Sequence, residues 1–248
     1  RRRHTRFRGV TGVQTCALPI LNIFIFTGGE APSPETAKPF LEKCKPDYVI
    51  AADSGLETLD LYAEAFGEDF APNLILGDMD SLKNLSLLEK YKNAKRELFP
   101  SDKDFTDTEL ALSTAREICK TASVVLVGGN GGCLDHLISI YDSFSEDFHA
   151  DVWLCVNQAV YFLAEKKSAE VFNLQLEDRI SVSRLTDNFD NSFVEAEGFE
   201  WNCFRKKGMA SVSNRISKEN FLHKNPAKLF AKKGSFLIFA PYHCEVKI

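Results

Sequence analysis

SVVLVGGNGGCLDHLISIYDSF, residues 123–144, contains a complete change of period. Val124 to Val127 is a short β-branched run of strand length, and the glycines that follow stop it. From Leu134 the apolar residues recur three and four apart, at Leu137, Ile138 and Tyr141, which is the period of a helix. A strand, a glycine turn and a helix in that order form one half of a strand–helix–strand unit, and the rest of the first two thirds of the chain repeats it. NIFIF (22–26), YVIAAD (48–53), NLILGD (73–78), RELF (96–99) and DVWLCVN (151–157) are predicted strands. SGLETLDLYAEAF (54–66), SLKNLSLLEKY (81–91), TDTELALSTAREICK (106–120) and LDHLISIYDSF (134–144) are predicted helices, several opened by a Ser, Thr or Asp suited to capping. Alternation of this kind predicts a parallel sheet with right-handed crossovers.

After about Glu165 the helical period fades. VFNLQ (171–175), RISVSRL (179–185), SFVEAEGF (192–199), MASVSN (209–214) and SFLIFAP (235–241) are short strands separated by turn residues, the pattern of a sandwich or barrel. The expected fold class is therefore α/β: an N-terminal parallel-sheet domain over residues 21–165, followed by a smaller all-β sandwich domain over 166–248. Residues 1–20 carry five arginines and no acid, and are expected to be a non-native or disordered leader. Their composition fits either an organelle transit peptide or translated sequence foreign to the gene.

With 248 residues, of which 44% are hydrophobic and 11% aromatic, the chain can bury substantial cores. A net charge of −5 argues against a nucleic-acid partner held by phosphate neutralisation. No apolar run approaches the roughly 18–20 residues that span a bilayer, so no membrane partner is expected. The seven cysteines are odd in number and form no CxxC pair, which fits reduced thiols and a cytoplasmic location.

Ligands of open parallel sheets gather beyond the carboxyl ends of the strands, and the acids stand there. Asp53 ends YVIAAD, Asp78 ends NLILGD with Asp80 two residues on, and Asp102, Asp104 and Asp107 follow RELF. Any one of them fits a helix cap. As a set they fit a divalent magnesium site better, because capping accounts for one acid per helix and close carboxylates repel by about 4 kcal/mol at ~4 Å and an effective dielectric of 20. GGNGGCLDH (128–136) adds a glycine turn through which a backbone can approach a phosphate, with Asp135 and His136 opening the next helix.

ADSG, GDMDS, DKDFTDTELAL and GGNGGCLDH, in this order, resemble the motif series of thiamine pyrophosphokinases, and GFEWNC and ASVSN in the β half resemble that family's thiamine-binding domain. The resemblance covers Leu21 onward. It implies a homodimer that binds thiamine between subunits and ATP with magnesium over the acidic strand ends. By motif position Asp53, Asp78, Asp80 and Asp107 are the implied magnesium ligands. Lys103, Asp104 and Thr106 would line the phosphates, Asp135 and His136 would lie near substrate, and Trp201, Ser211, Ser213 and Asn214 would form the thiamine pocket. The implied catalytic acids are Asp78, Asp80, Asp104 and Asp107, with the proton acceptor open between Asp78 and Asp104. The implied reaction moves the pyrophosphoryl group of ATP to the thiamine hydroxyl. The alternatives are a kinase for another small alcohol and a weakened thiamine- or nucleotide-binding protein. The second is suggested by Cys133, which stands where the family usually has Arg.

Overall fold

The computed structural model describes residues 21–100, 104–145, 148–185, 192–202 and 211–248. The expected leader, Asp102 and Lys103 lie outside the described residues. The α/β half runs β1 (Asn22–Phe26), α1 (Pro34–Leu41), β2 (Tyr48–Ala52), α2 (Gly55–Phe66), β3 (Leu74–Gly77), α3 (Ser86–Lys90), β4 (Lys95–Leu98), α4 (Asp107–Ile118), β5 (Ser123–Val127), α5 (Leu134–Asp142) and β6 (Val152–Cys155). The remainder is β7 (Gln158–Leu163), β8 (Ser168–Phe172), β9 (Ile180–Arg184), β10 (Phe193–Glu197), β11 (Ser211–Asn214), α6 (Lys218–His223), β12 (Ala227–Lys233), β13 (Phe236–Ala240) and β14 (Glu245–Lys247).

Ten strands form one sheet in the order β11-β9-β13-β7-β6-β5-β1-β2-β3-β4, and four form a second in the order β10-β12-β8-β14. From β6 to β4 every pairing is parallel. From β6 through β7, β13 and β9 to β11 every pairing is antiparallel. The switch is a hairpin through Val156–Asn157, with Cys155 opposite Gln158. Segments 21–165 and 166–248 therefore share one sheet, and the sandwich uses the antiparallel end of that sheet as one of its two layers.

Burial explains the layering. Along β1, Phe24 and Phe26 enter one core while Ile23 and Ile25 enter the other, and all four are fully buried, as expected of a strand covered on both faces. The first core also takes Ala37 and Leu41 of α1, Leu56 and Leu59 of α2, Val171 of β8 and Leu229 of β12. The second takes Ala111, Leu112 and Ala115 of α4 and Ile140 of α5. Helices α1 and α2 and the small sheet thus share one face, with α4 and α5 on the other.

Some elements differ from expectation. The helix over 81–91 shrinks to five residues, because the amides of Lys83 and Asn84 donate to Glu57 Oε1 and Asn84 Oδ1 accepts from Ser86, which holds the approach as a loop. The strand expected at 171–175 is shifted to 168–172, since Asn173 has φ 65° and ends the extended run. Beyond the expected elements the chain forms α1, whose first turn is capped by Ser33, and β7, β12, β14 and α6.

Candidate active site

Three carboxylates converge beyond the carboxyl ends of β2 and β3. The backbone of Asp53 leaves β2 in the left-handed region, with φ 48°, and Ser54 and Gly55 start α2 immediately afterwards. Asp78 follows β3, and Asp107 is the first residue of α4. One carboxylate oxygen of each lies within 4.8 Å of the other two. Gly77, with φ 128°, makes this possible: a β-carbon there would stand 3.1 Å from Asp107 Oδ1 and 3.2 Å from Asp53 Cβ.

Asp53 is buried, and its Oδ1 has no hydrogen-bond partner among the described residues. Burial raises its pKa, and the charges of Asp107 and Asp78 add to the rise against hydrogen bonds from Ser54 and Ser81. A buried, partnerless carboxylate oxygen beside two further acids is costly unless a cation offsets it. Three hard oxygen donors at this spacing fit a magnesium-sized ion.

The acids open into a cleft of about 370 Å³ that is also lined by Phe105, Thr106, Gly131, Gly132, Cys133 and His136. Of the residues expected at the site, Asp53, Asp78, Asp107, Thr106 and His136 thus come together here. Asp80 stands outside the cluster, exposed, with its Oδ1 accepting from Ser81 Oγ at 2.9 Å. Asp104 and Asp135 are exposed and do not line the cleft. The Thr106 hydroxyl serves a capping box: it accepts from the amide of Glu109 at 3.2 Å, and Glu109 Oε2 accepts from the Thr106 amide at 2.8 Å. Cys133 occupies the N-cap position of α5 without capping it, and is exposed to the cleft.

Sequence reasoning missed the opposite wall, Thr27-Gly28-Gly29. The amide of Glu30 donates to the carbonyl of Asn130 at 2.5 Å, and that of Asn130 to Glu30 at 3.0 Å, so this loop is zipped to the GGNGG turn. Thr27 and Thr108 share a buried hydroxyl hydrogen bond of 2.6 Å that ties β1 to α4. The signal was available, since TGG follows NIFIF just as GGNGG follows SVVLV.

The second group of expected residues lies elsewhere. The Asn214 side chain donates from Nδ2 to the carbonyl of Trp201 at 2.7 Å, and its Oδ1 accepts from the amides of Trp201 at 3.3 Å and Arg215 at 2.9 Å. Buried Asn214 thereby positions Trp201, whose ring is half exposed with the Arg215 guanidinium 5.1 Å from its centroid. Ser211 Oγ accepts from Asn214 Nδ2, and the amide of Ser213 donates to Ser181 Oγ. Ser211, Ser213 and Asn214 belong to β11, the edge strand seven positions from β2 in the large sheet, and Trp201 is hydrogen-bonded to Asn214. At ~4.8 Å per strand that is about 30 Å, so one chain does not bring Trp201 to the acids.

The class these features define is an α/β protein with a ligand cleft at the carboxyl ends of a parallel sheet and a second, antiparallel sheet behind it. Residues 41–156 match the family described as thiamin pyrophosphokinase, catalytic domain. The fold of the chain is that of solved thiamin pyrophosphokinases. The enzyme of Bacillus subtilis superposes with a TM-score of 0.65 at 18% identity, over 89% of this chain and 98% of that one. A thiamin pyrophosphokinase family protein from Enterococcus faecalis gives 0.61 at 19%, over 89% and 98%. The yeast enzyme gives 0.61 at 14%, over 90% and 87%. At these identities the likeness establishes the fold alone. No curated protein sequence matches the chain. Among the described residues no helix is long and apolar enough to cross a membrane, and the five cysteines are free.

Proposed function

We propose that the protein is a thiamine pyrophosphokinase, which transfers the pyrophosphoryl group of ATP to the hydroxyl of thiamine and yields thiamine diphosphate and AMP. The observation that carries this reading is the meeting of Asp53, Asp78 and Asp107 around a buried, partnerless oxygen, in a cleft walled by two glycine turns. The family match over residues 41–156 supports the choice of substrates.

In this reading Asp53, Asp78 and Asp107 would hold magnesium, with exposed Asp80 two residues along the chain from Asp78. When bound, the ion supplies positive charge against the phosphoryl oxygens. The glycine turns would admit the phosphates close to backbone amides, with Thr106 and His136 on the cleft wall. The thiamine hydroxyl oxygen forms a bond to the β-phosphorus while the bond from that phosphorus to the α,β-bridging oxygen breaks, so AMP departs with the bridging oxygen. The hydroxyl proton passes to a carboxylate. Asp78 lines the cleft and Asp104 does not, which favours Asp78 as acceptor. Positioning and charge stabilisation then supply most of the rate enhancement.

Trp201 offers an indole face to a cationic heteroaromatic ring. Its distance from the acids supports a site shared between two copies in a homodimer, Trp201 of one copy meeting the cleft of the other. Free thiols and the substrates themselves fit a cytoplasmic location.

The test is to incubate the full chain with thiamine, ATP and magnesium and to identify the nucleotide released. AMP with thiamine diphosphate is expected. ADP would mean attack at the γ-phosphorus and a kinase for an alcohol, while nucleotide binding without turnover would favour the weakened binding protein to which Cys133 points.

A further inference from the structure

We propose that Asp178, His243 and Cys244 form a zinc site at the corner where the two sheets of the β half are joined. One ligand atom from each lies within 4.8 Å of the other two. The topology makes the spot singular. Residues 173–179 carry the chain from β8 of the small sheet to β9 of the large one, and residues 241–244 carry it back from β13 to β14. A cation here would clip two crossings between layers that are 65 residues apart in sequence.

Two of the three donors are held in advance. The Cys244 amide donates to the Pro241 carbonyl at 3.1 Å, and buried Tyr242 donates its hydroxyl to the Cys155 carbonyl at 2.6 Å, so the turn is pinned on both sides of His243. Asp178 Oδ2 accepts from the Gln175 amide at 2.7 Å, which fixes the carboxylate across the closing turn of its own loop. His243 Nε2 stands 2.8 Å from that same oxygen, and its side chain is 49% exposed. The site is therefore buried at sulfur and open at imidazole, which leaves an entry path and room for a water as fourth ligand.

The donor set selects the metal. A thiol, an imidazole and one carboxylate form a borderline-soft set that suits zinc, whereas magnesium prefers oxygen alone. Zinc bonds of about 2.0–2.3 Å need donors roughly 3–4 Å apart. The Asp178–His243 pair, 2.8 Å apart, must open slightly, and the half-exposed imidazole has room for that movement. As the sulfur–zinc bond forms, the thiol proton of Cys244 leaves to solvent. The competing description is an ordinary Asp–His ion pair with a buried thiol beside it.

The test uses the reduced, metal-stripped full chain. It is titrated with cadmium, whose bond to a thiolate gives an ultraviolet charge-transfer band, and with zinc, counted by atomic absorption after desalting. One equivalent is expected to give a band that is absent from Cys244→Ser and needs at least tenfold more metal in His243→Ala. Asp53→Asn, in the acidic cluster, is expected to keep the band. Zinc should raise the melting temperature of the wild type and leave that of His243→Ala unchanged. Absence of a band in the wild type, or equal titrations in the wild type and His243→Ala, would overturn the site. Since Cys244 is buried and its replacement can impair folding, the surface variant His243→Ala, checked by circular dichroism, decides the matter alone.

Discussion

Replacing Asp53 by Asn should make the metal-free protein more stable while destroying its response to magnesium. Asn tolerates the left-handed backbone of residue 53 as well as Asp does, so the change removes charge and little else. At 4.8 Å and an effective dielectric of 20, each like-charge pair costs about 3.5 kcal/mol, and Asp53 belongs to two such pairs. Asp78 and Asp107 are half-buried and partly screened by water, which brings the expected gain down to roughly 1–2 kcal/mol. For a chain of this length that is a rise of about 2–8 °C in melting temperature. The sign with pH follows from the raised pKa of Asp53. The folded state binds that proton more tightly than the unfolded state, so wild-type apo stability falls as pH rises through the folded pKa. The gap between variant and wild type should therefore be widest near neutral pH and close on acidification. Thermal melts with and without magnesium, at several pH values, test this. A variant less stable than wild type without metal, or one still stabilised by magnesium, would refute the assignment of these acids.

Three other variants probe separate links. Cys133→Arg should raise the rate of AMP formation about tenfold or more by restoring a bidentate phosphate contact, with no change in melting temperature because residue 133 is exposed; an unchanged rate would mean another cation already serves. Thr106→Ala should cost about 1 kcal/mol by breaking the capping box with Glu109, measured by denaturant unfolding. Trp201→Ala should raise the KM for thiamine about tenfold, equivalent to ~1.4 kcal/mol, and leave the KM for ATP alone; equal effects on both substrates in steady-state kinetics would count against separate pockets.

The alternation of strand and helix could be read from residues 22–144 because each unit changes period within a few residues, and period is a local property. That Asp53, Asp78 and Asp107 converge was legible for a related reason: a polar residue that ends an apolar strand, or opens the helix after it, must sit at the carboxyl edge of a parallel sheet. The joining of the two halves was not legible. QAVYFL follows DVWLCVN after a two-residue turn, and an apolar run carries no label saying whether it turns back antiparallel and extends the same sheet. Direction of side chains was equally hidden, since Asp80 is two residues from Asp78 yet faces solvent, while Gly77 matters only through the atoms that approach it. The same holds for the seven strand positions that separate β11 from β2, and for Asp178 beside His243 and Cys244. Local propensity and pattern act over a few residues, so they determined the elements and their ends. Which ends meet depends on strand order and on packing between residues far apart in the chain, and only the tertiary structure decided that.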